Sequence, residues 1–386
     1  MKVAFCTSWG REKDGISGFA ASILPFLRSG FEVELVPLEL NLPDRGFYRR
    51  AAEAANRCDL CHVQHNYVLF NGLFPWRERF HFFLRRLAVP LAITFHEFRD
   101  RYPPAPPPPL DSPAALLRRL KREALNRSSL LGMKGYLRRY HRLAAARSAV
   151  LHVHTSRHRR LLAGMGIAEE KIAVFPLPAP PHPLPARLPG REEAKRILGW
   201  EGKRILLTPG FMNPRKGYEA VLPALAGLSR DTLYVIAGGA MDPLGERYRM
   251  EMEEALRHGG VGDRVWISGF VPFERLALMI AAADLVLALF PPLAQGSASL
   301  ALSLGLGKAI LASDTEVHRE VSALGAGCEL FDPSSREDLA ARASGLLKDP
   351  SRLAALEAAS AGYARRYGPE GYARQVGDLY RKAFRG

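Results

Sequence analysis

Two cations stand side by side in the run Gly210-Phe211-Met212-Asn213-Pro214-Arg215-Lys216-Gly217. The run follows a strand pattern, Arg204–Thr208, and leads into a helical one, Gly217–Gly227. Positive side chains at a helix start oppose the helix dipole. Arg215 and Lys216 therefore suit a bound anion, with a solvated loop as the plain alternative. Gln295-Gly296-Ser297-Ala298-Ser299 follows the strand pattern Leu285–Phe290 and opens a helical pattern, Ser299–Leu306. Small residues and hydroxyls there leave helix N–H groups open to a diphosphate. The alternative is simple capping by Ser297. Neither run is a P-loop, since GxxxxGK[ST] fails at Gly210–Gly217. At Gly307-Lys308, Leu302 stands for the first glycine and Ala309 for the Ser or Thr.

Other residues at strand ends carry weaker signals. Gly15-Ile16-Ser17-Gly18 follows the first strand and opens a helix, which offers backbone N–H groups to a phosphate or sugar. The spacing is not GxGxxG, so a dinucleotide fingerprint is absent. Thr94-Phe95-His96-Glu97 and His154-Thr155-Ser156 end two more strands. A lone histidine is more often structural than catalytic, but two at corresponding strand ends favour a functional reading for His96. Cys58-Asp-Leu-Cys61, with His62 and His65, resembles a metal site only in passing. A second CxxC is missing, and a strand points alternate side chains to opposite faces. The four cysteines are too few for a disulfide framework and suit a reducing cytoplasm.

The elements that must position these residues alternate along all 386 residues. Strand patterns in the first half are Lys2–Thr7, Glu32–Pro37, Leu60–Gln64, Leu91–Thr94, Val150–His154 and Lys171–Phe175. Helical patterns there include Gly18–Ser29, Tyr48–Asn56, Arg77–Leu87 and Arg157–Met165. Pro176–Pro189 holds seven prolines in fourteen residues and reads as a stiff linker. The alternation then restarts, with strands at Arg204–Thr208, Leu233–Ala237, Val265–Ser268, Leu285–Phe290, Ala309–Ala312 and Cys328–Phe331, and ends on a helix, Pro369–Phe384. Near-continuous apolar strands between helices predict parallel sheets covered on both faces. Ligands of such sheets bind beyond the carboxyl ends of the strands. The N-terminal run Val3–Cys6 is too short for a signal-peptide core. The stretch Leu276–Ala294 is broken by Asp284 and Pro291-Pro292, so it reads as a buried helix and a strand rather than a membrane span. The expectation is a soluble or peripheral protein.

In their order and spacing these segments resemble the retaining, nucleotide-sugar-dependent glycosyltransferases of the GT-B fold, glycosyltransferase family 4. The resemblance runs from Met1 to the final helix. It rests on the Gly15 loop, Asp59–Tyr67, Pro90–His96, His154–Ser156, Gly210–Gly217, Ala237–Gly239, Gly269-Phe-Val-Pro272, Ala282–Asp284 and Gly305–Ile310. It implies an α/β chain of two Rossmann-like, doubly wound parallel-sheet domains facing across a cleft. The expected divisions are an acceptor domain over 1–180, a nucleotide-sugar domain over 181–367, and a helix over 368–386 that crosses back to the first domain. It implies that Lys216, Arg215 and His96 are catalytic. Gly15, Gly210, Gly269, Phe270, Ser297, Ser299, Leu300 and Glu320 are then donor-binding. The donor would be a UDP- or GDP-sugar, with no metal and no other cofactor, because Lys, Arg and helix N–H groups take the metal's place.

Two departures from the family pattern stand out. Phe211 occupies the arginine position of the common Gly-Arg-Leu, leaving Arg215 to complete the basic pair. Ala294 and Leu302 occupy the positions of two glutamates that usually contact the sugar and the ribose. A non-catalytic GT-B-like binding protein and a sugar-nucleotide epimerase therefore stay open as alternatives.

The formal net charge is +15, and it is concentrated. Asp111–Arg160 holds thirteen basic and two acidic residues, or +11. Arg118, Arg119, Lys121, Arg122, Arg138 and Arg139 alternate with leucines, over a basic helical stretch placed at 111–147. Such a pattern suits an anionic membrane surface near a lipid-linked acceptor. A solvated helix is the plain alternative, and no nucleic-acid module is present. The expected setting is the cytoplasm or the inner face of a bacterial membrane, in polysaccharide or glycolipid synthesis.

Overall fold

The computed structural model describes residues 1–11, 14–72, 77–98, 134–258, 260–289 and 297–385. Two compact units emerge. The first comprises Met1–Ser8, Phe31–Phe175 and Gly377–Gly386; the second comprises Trp9–Gly30 and Pro176–Val376.

Unit 1 is built on six parallel strands: β1 (Lys2–Thr7), β2 (Glu32–Pro37), β3 (Leu60–His65), β4 (Leu91–Phe95), β5 (Val150–Val153) and β6 (Ile172–Val174). Their order is β2-β1-β3-β4-β5-β6. Every residue of β3, β4 and β5 is buried, including the polar His62, Gln64, His65, Thr94 and His152, so these side chains must find partners inside. A helix over 134–147 precedes β5. Its buried positions are Leu137, Tyr140, His141, Ala144 and Ala145, while Lys134, Arg138, Arg139 and Arg142 are exposed.

Unit 2 carries β7 (Arg204–Pro209), β8 (Thr232–Ala237), β9 (Val265–Ile267), β10 (Leu285–Ala288), β11 (Ile310–Ser313) and β12 (Cys328–Phe331). The order is β12-β11-β10-β7-β8-β9, all parallel. Alternate residues feed two separate cores. Leu206, Tyr234, Ile236, Leu285, Leu287 and Leu311 pack on one face. Ile205, Leu207, Val235, Ala237, Val286, Ile310 and Ala312 pack on the other. The chain leaves β7 in one direction toward β8 and β9, and returns beside it as β10. The order therefore reverses between β7 and β10, the place where doubly wound sheets open a ligand crevice.

The twelve strands lie where the apolar runs put them, to within two residues at either end. Two helices were not anticipated. One is Arg191–Leu198, ended by Gly199 in the left-handed region at φ +71°; the other is Glu316–Ala323. Pro176–Pro189 forms no helix or strand, as its prolines require, but it is packed rather than free. Ala179 donates its N–H to Tyr367 O at 2.9 Å. The His182 ring lies 5.0 Å from Phe273 and covers Gly18 so closely that a Cβ there would overlap it.

Candidate active site

The chemistry of unit 2 gathers at the carboxyl ends of β7 and β10. After β7 the backbone turns at Gly210, whose φ of +115° excludes other residues without strain. A short 3₁₀ turn, Pro214–Lys216, brings Lys216 back over that glycine. A Cβ on Gly210 would sit 3.3 Å from Lys216 Nζ and 3.5 Å from Ser299 Oγ. The Lys216 ammonium donates to Ser299 Oγ at 3.2 Å. Thr208, Pro209, Leu287, Leu289, Ser299 and Leu300 line the small pocket around it.

The helix Ala298–Gly305 begins here. Ser297 caps it by accepting from Leu300 N–H at 3.1 Å, so the plain capping reading of Ser297 holds. Its hydroxyl also lies 3.0 Å from Ser299 Oγ. Gly210, Lys216, Ser297, Ser299 and Leu300, singled out from sequence, are thus neighbours.

One expectation is corrected. Arg215 and Lys216 do not stand at an α-helix start. Gly217 follows them in the left-handed region at φ +63°, and a 3₁₀ turn, Tyr218–Ala220, precedes the short helix Val221–Leu225. Lys216 is instead aimed at the start of a different helix, the one that begins at Ala298, where an anion shared between the cation and the helix dipole is doubly favoured.

Beyond β9 stand Gly269, at φ +65°, and Phe270, which is 47% exposed. Glu320 lies in the second turn of Glu316–Ala323, half-buried, and its charge helps raise the largely burial-shifted Tyr363 phenol. Sequence reading passed over His318 in the same helix. It is buried, its Nδ1 lies 2.6 Å from Ser313 O, and burial first, with the nearby Lys216 charge, holds its pKa below 6.5. Its signal was the position three residues after the cap Thr315, just beyond β11. Gly15 opens the helix Gly15–Arg28, capped by Asp14, whose carboxylate accepts from Ile16 N–H at 3.0 Å. Lys308 is buried and donates to Ala281 O at 3.0 Å, before rather than after β11, which fits its failure as a P-loop lysine.

Unit 1 holds a separate polar network. His96 follows β4, and its Nε2–H donates to Gln64 Oε1 at 2.7 Å. That tautomer leaves Nδ1 to accept from His154 Nε2–H at 3.3 Å. Deeper in, His62 Nδ1 lies 2.8 Å from Tyr380 OH and its Nε2 2.8 Å from Thr94 Oγ1. Thr94 Oγ1 also lies 3.2 Å from His152 Nδ1. Burial lowers His62 and His96 to about 3, so both imidazoles are neutral near pH 7. Cys61 lies on the buried β3 with Sγ 3.6 Å from Cys6 Sγ. Among the described residues no group of three or more His, Cys, Asp or Glu is placed to hold a metal ion. Arg138 and Arg139 lie exposed on the 134–147 helix; Arg118, Arg119, Lys121 and Arg122 fall outside the described residues. No helix among the described residues is long and apolar enough to cross a membrane.

Residues 190–363 match the family model of the glycosyl transferases group 1. That span contains Gly210, Lys216, Ser299 and the whole second sheet. The match lies within unit 2, and it supports a glycosyltransferase. Solved structures of the same fold cover nearly the whole chain. Anabaena Alr3699/HepE in complex with UDP is 15% identical, with a TM-score of 0.69 over 98% of this chain and 99% of that one. Sucrose-phosphate synthase from Thermosynechococcus elongatus is 15% identical, with a TM-score of 0.67 over 99% of each chain. WaaG, a glycosyltransferase involved in lipopolysaccharide biosynthesis, is 15% identical, with a TM-score of 0.59 over 98% of this chain and 99% of that one. At these identities the likeness establishes the fold, which is GT-B. No curated protein matches the sequence.

Proposed function

We propose that this glycosyltransferase moves a sugar from a nucleoside-diphosphate sugar to a glycan or lipid-linked acceptor, with retention at the anomeric carbon. The observation that carries the reading is the convergence of Lys216 Nζ and Ser299 Oγ over Gly210 at the start of Ala298–Gly305. A fixed cation, a hydroxyl and a helix N-terminus meeting where no side chain intrudes form a seat for a diphosphate. As the bond from the sugar carbon to the phosphate oxygen breaks, negative charge grows on that oxygen. Donors held in place beforehand stabilise that charge without reorganising. The group 1 match over residues 190–363 and the UDP and UDP-glucose complexes of HepE support a nucleotide-sugar donor, UDP first among them. In unit 1 His96 is neutral and held by Gln64 and His154, with both ring nitrogens engaged. The acceptor oxygen adds to the anomeric carbon on the face the diphosphate leaves, its proton passes to the departing phosphate oxygen, and the seat on unit 2 meets the remaining charge with no metal ion.

A thermal-shift panel of UDP- and GDP-sugars, followed by transfer and hydrolysis assays with NMR of the product anomer, tests this. A UDP-sugar that raises Tm and is consumed with retained configuration is the expected result. If no nucleotide sugar shifts Tm or reacts, the reading fails.

The acceptor side rests on a different observation. Lys134, Arg138, Arg139 and Arg142 share the exposed face of the 134–147 helix with Leu143, which is 43% exposed. Basic side chains beside an exposed leucine suit an anionic bilayer, at about 1 kcal/mol per basic residue near the surface. Flotation with vesicles rich in anionic lipid should recover wild-type protein and lose the Arg138→Glu, Arg139→Glu, Arg142→Glu variant. Equal recovery on neutral vesicles would count against the electrostatic attachment.

A further inference from the structure

The proline run Pro176–Pro189 presses on a glycine at each of two points. A Cβ on Gly18 would fall 1.8 Å from His182 Nδ1, and one on Gly305 would fall 2.4 Å from Pro180 N. Pro180 and His182 stand two residues apart, while the glycines they meet lie in helices far apart in the chain. Gly18 is in the first turn of Gly15–Arg28. Gly305 closes Ala298–Gly305, the helix whose start carries Ser299. The run is itself held. Ala179 N–H donates to Tyr367 O at 2.9 Å, and Ala179 and Pro181 are buried. The His182 ring lies 5.0 Å from Phe273, the first residue of the helix Phe273–Ala282. Phe19, beside Gly18, meets the Tyr372 ring edge-on at 5.3 Å. These contacts explain why Gly15–Arg28 belongs to unit 2, although the strands before and after it, β1 and β2, belong to unit 1.

We propose that Pro180 and His182 are positioning residues, a clamp that fixes the helix Gly15–Arg28 against the helix bearing Ser299 so that both keep their places around the diphosphate seat. The proposal rests on the donor being a nucleoside-diphosphate sugar. Neither clamping residue touches that donor. Each acts through a glycine that lets it come close: Pro180 bears on the far end of the helix that presents Ser299 to Lys216, and His182 bears on the helix that Gly15 opens. A proline-rich run suits the task, because proline has little chain freedom to lose on ordering. A seat whose parts are already in place then spends less of its binding energy on arranging them.

Calorimetric titration with UDP and with inorganic pyrophosphate tests the clamp in wild type, His182→Ala, His182→Phe, Gly18→Ala and the double variant Gly18→Ala, His182→Ala. Wild type should bind both probes. His182→Ala should weaken both roughly tenfold, short of the hundredfold that an ångström of misplacement can cost. His182→Phe keeps a flat ring on Gly18 and should bind as wild type does, which a histidine that hydrogen-bonds the ligand would not allow. Gly18→Ala drives the ring away and should match His182→Ala. The double variant should lose no more than either, since the same contact is removed only once. Melting curves show which variants are folded at the titration temperature. Should His182→Ala melt below it, Gly18→Ala against His182→Phe makes the same comparison. Equal binding of both probes by wild type, His182→Ala and Gly18→Ala overturns the clamp and leaves the donor reading in place, as do losses that add in the double variant. Wild type that binds neither probe overturns both.

Discussion

Lys216 Nζ sits 3.2 Å from Ser299 Oγ and 3.3 Å from where a side chain on Gly210 would begin. The ammonium is therefore already in position before any ligand arrives. Its worth should appear mainly in the transition state, where charge on the departing diphosphate is greatest. Lys216→Ala should lower kcat about 100- to 1,000-fold, the usual loss for one preorganised donor, with acceptor KM little changed. Ser299→Ala, which removes a neutral hydroxyl and leaves the cation, should cost far less. Steady-state kinetics with the donor found in the thermal-shift panel decide this. An unchanged kcat in Lys216→Ala would remove Lys216 from the reaction.

Arg264 braces the second sheet. Only 8% exposed, its guanidinium donates to Leu225 O at 2.8 Å, Ser229 O at 2.8 Å, and Leu228 O and Thr232 O at 3.3 Å. It thereby ties the helix Val221–Leu225 to the start of β8. Arg264→Met keeps the apolar stem but leaves four carbonyls without this donor, at a cost of about 3 kcal/mol. Arg264→Lys, with fewer donors on a flexible stem, should lose about half as much. Urea midpoints at constant slope measure both. A loss under about 0.5 kcal/mol in Arg264→Met would mean that water replaces the guanidinium at no cost.

Much of this was legible in the chain, for physical reasons that also mark where legibility stops. Strands buried on both faces are largely apolar, so β4, β7 and β10 announced themselves, while β3 carries His62, Gln64 and His65 in a wholly buried strand. That Gly210, Lys216 and Ser299 would gather was legible, because all three stand at the ends of strands that a doubly wound sheet brings side by side. Which helix Lys216 faces was not legible. That depends on Gly217 adopting a left-handed turn, and glycine by itself does not say so. The near-parallel approach of Phe211 and Phe270 is a property of strand order, visible only once β7 and β9 are known to flank β8. The helix Arg191–Leu198 hid behind the proline run. Its signal was electrostatic, with Glu192 and Glu193 in the first turn and Lys195 and Arg196 in the last.

The histidines of unit 1 give the fold an acid-side weakness. In the unfolded chain an imidazole takes a proton near pH 6.5. In the fold, burial keeps His62 and His96 neutral down to about 3, and His65, His152 and His154 well below the ordinary value. The unfolded state therefore binds more protons between pH 6.5 and 3. Stability is full above about pH 6.5 and falls as pH drops through that window, by about 1.4 kcal/mol per pH unit for each such group. Urea midpoints should be flat from pH 8 to 7 and decline from 6.5 to 5, above the range where carboxylates contribute. In His62→Gln the decline should be shallower by one group's share. A midpoint that does not move between pH 7.5 and 5 would contradict the buried neutral assignment.

Two glycines separate what the site needs from what the fold needs. At Gly238 an added methyl would overlap the carbonyl oxygen of Gly210, a backbone atom that cannot swing aside. Gly238→Ala must therefore push the Gly210–Phe211 turn away from β8, displacing the floor under Lys216. Overpacking of this kind typically costs about 1–3 kcal/mol, and here it should also weaken UDP and pyrophosphate binding together, since the diphosphate seat moves. At Gly15 the same methyl would meet nothing within 4 Å. The residue opens the helix Gly15–Arg28, so alanine should leave Tm unchanged or slightly higher. If Gly15 serves the donor through close backbone approach, Gly15→Ala will lose donor affinity in a protein of undiminished stability. Intact affinity would reduce Gly15 to a helix start. For Gly238, titrations that match wild type for both ligands would show that the turn is anchored elsewhere than on β8.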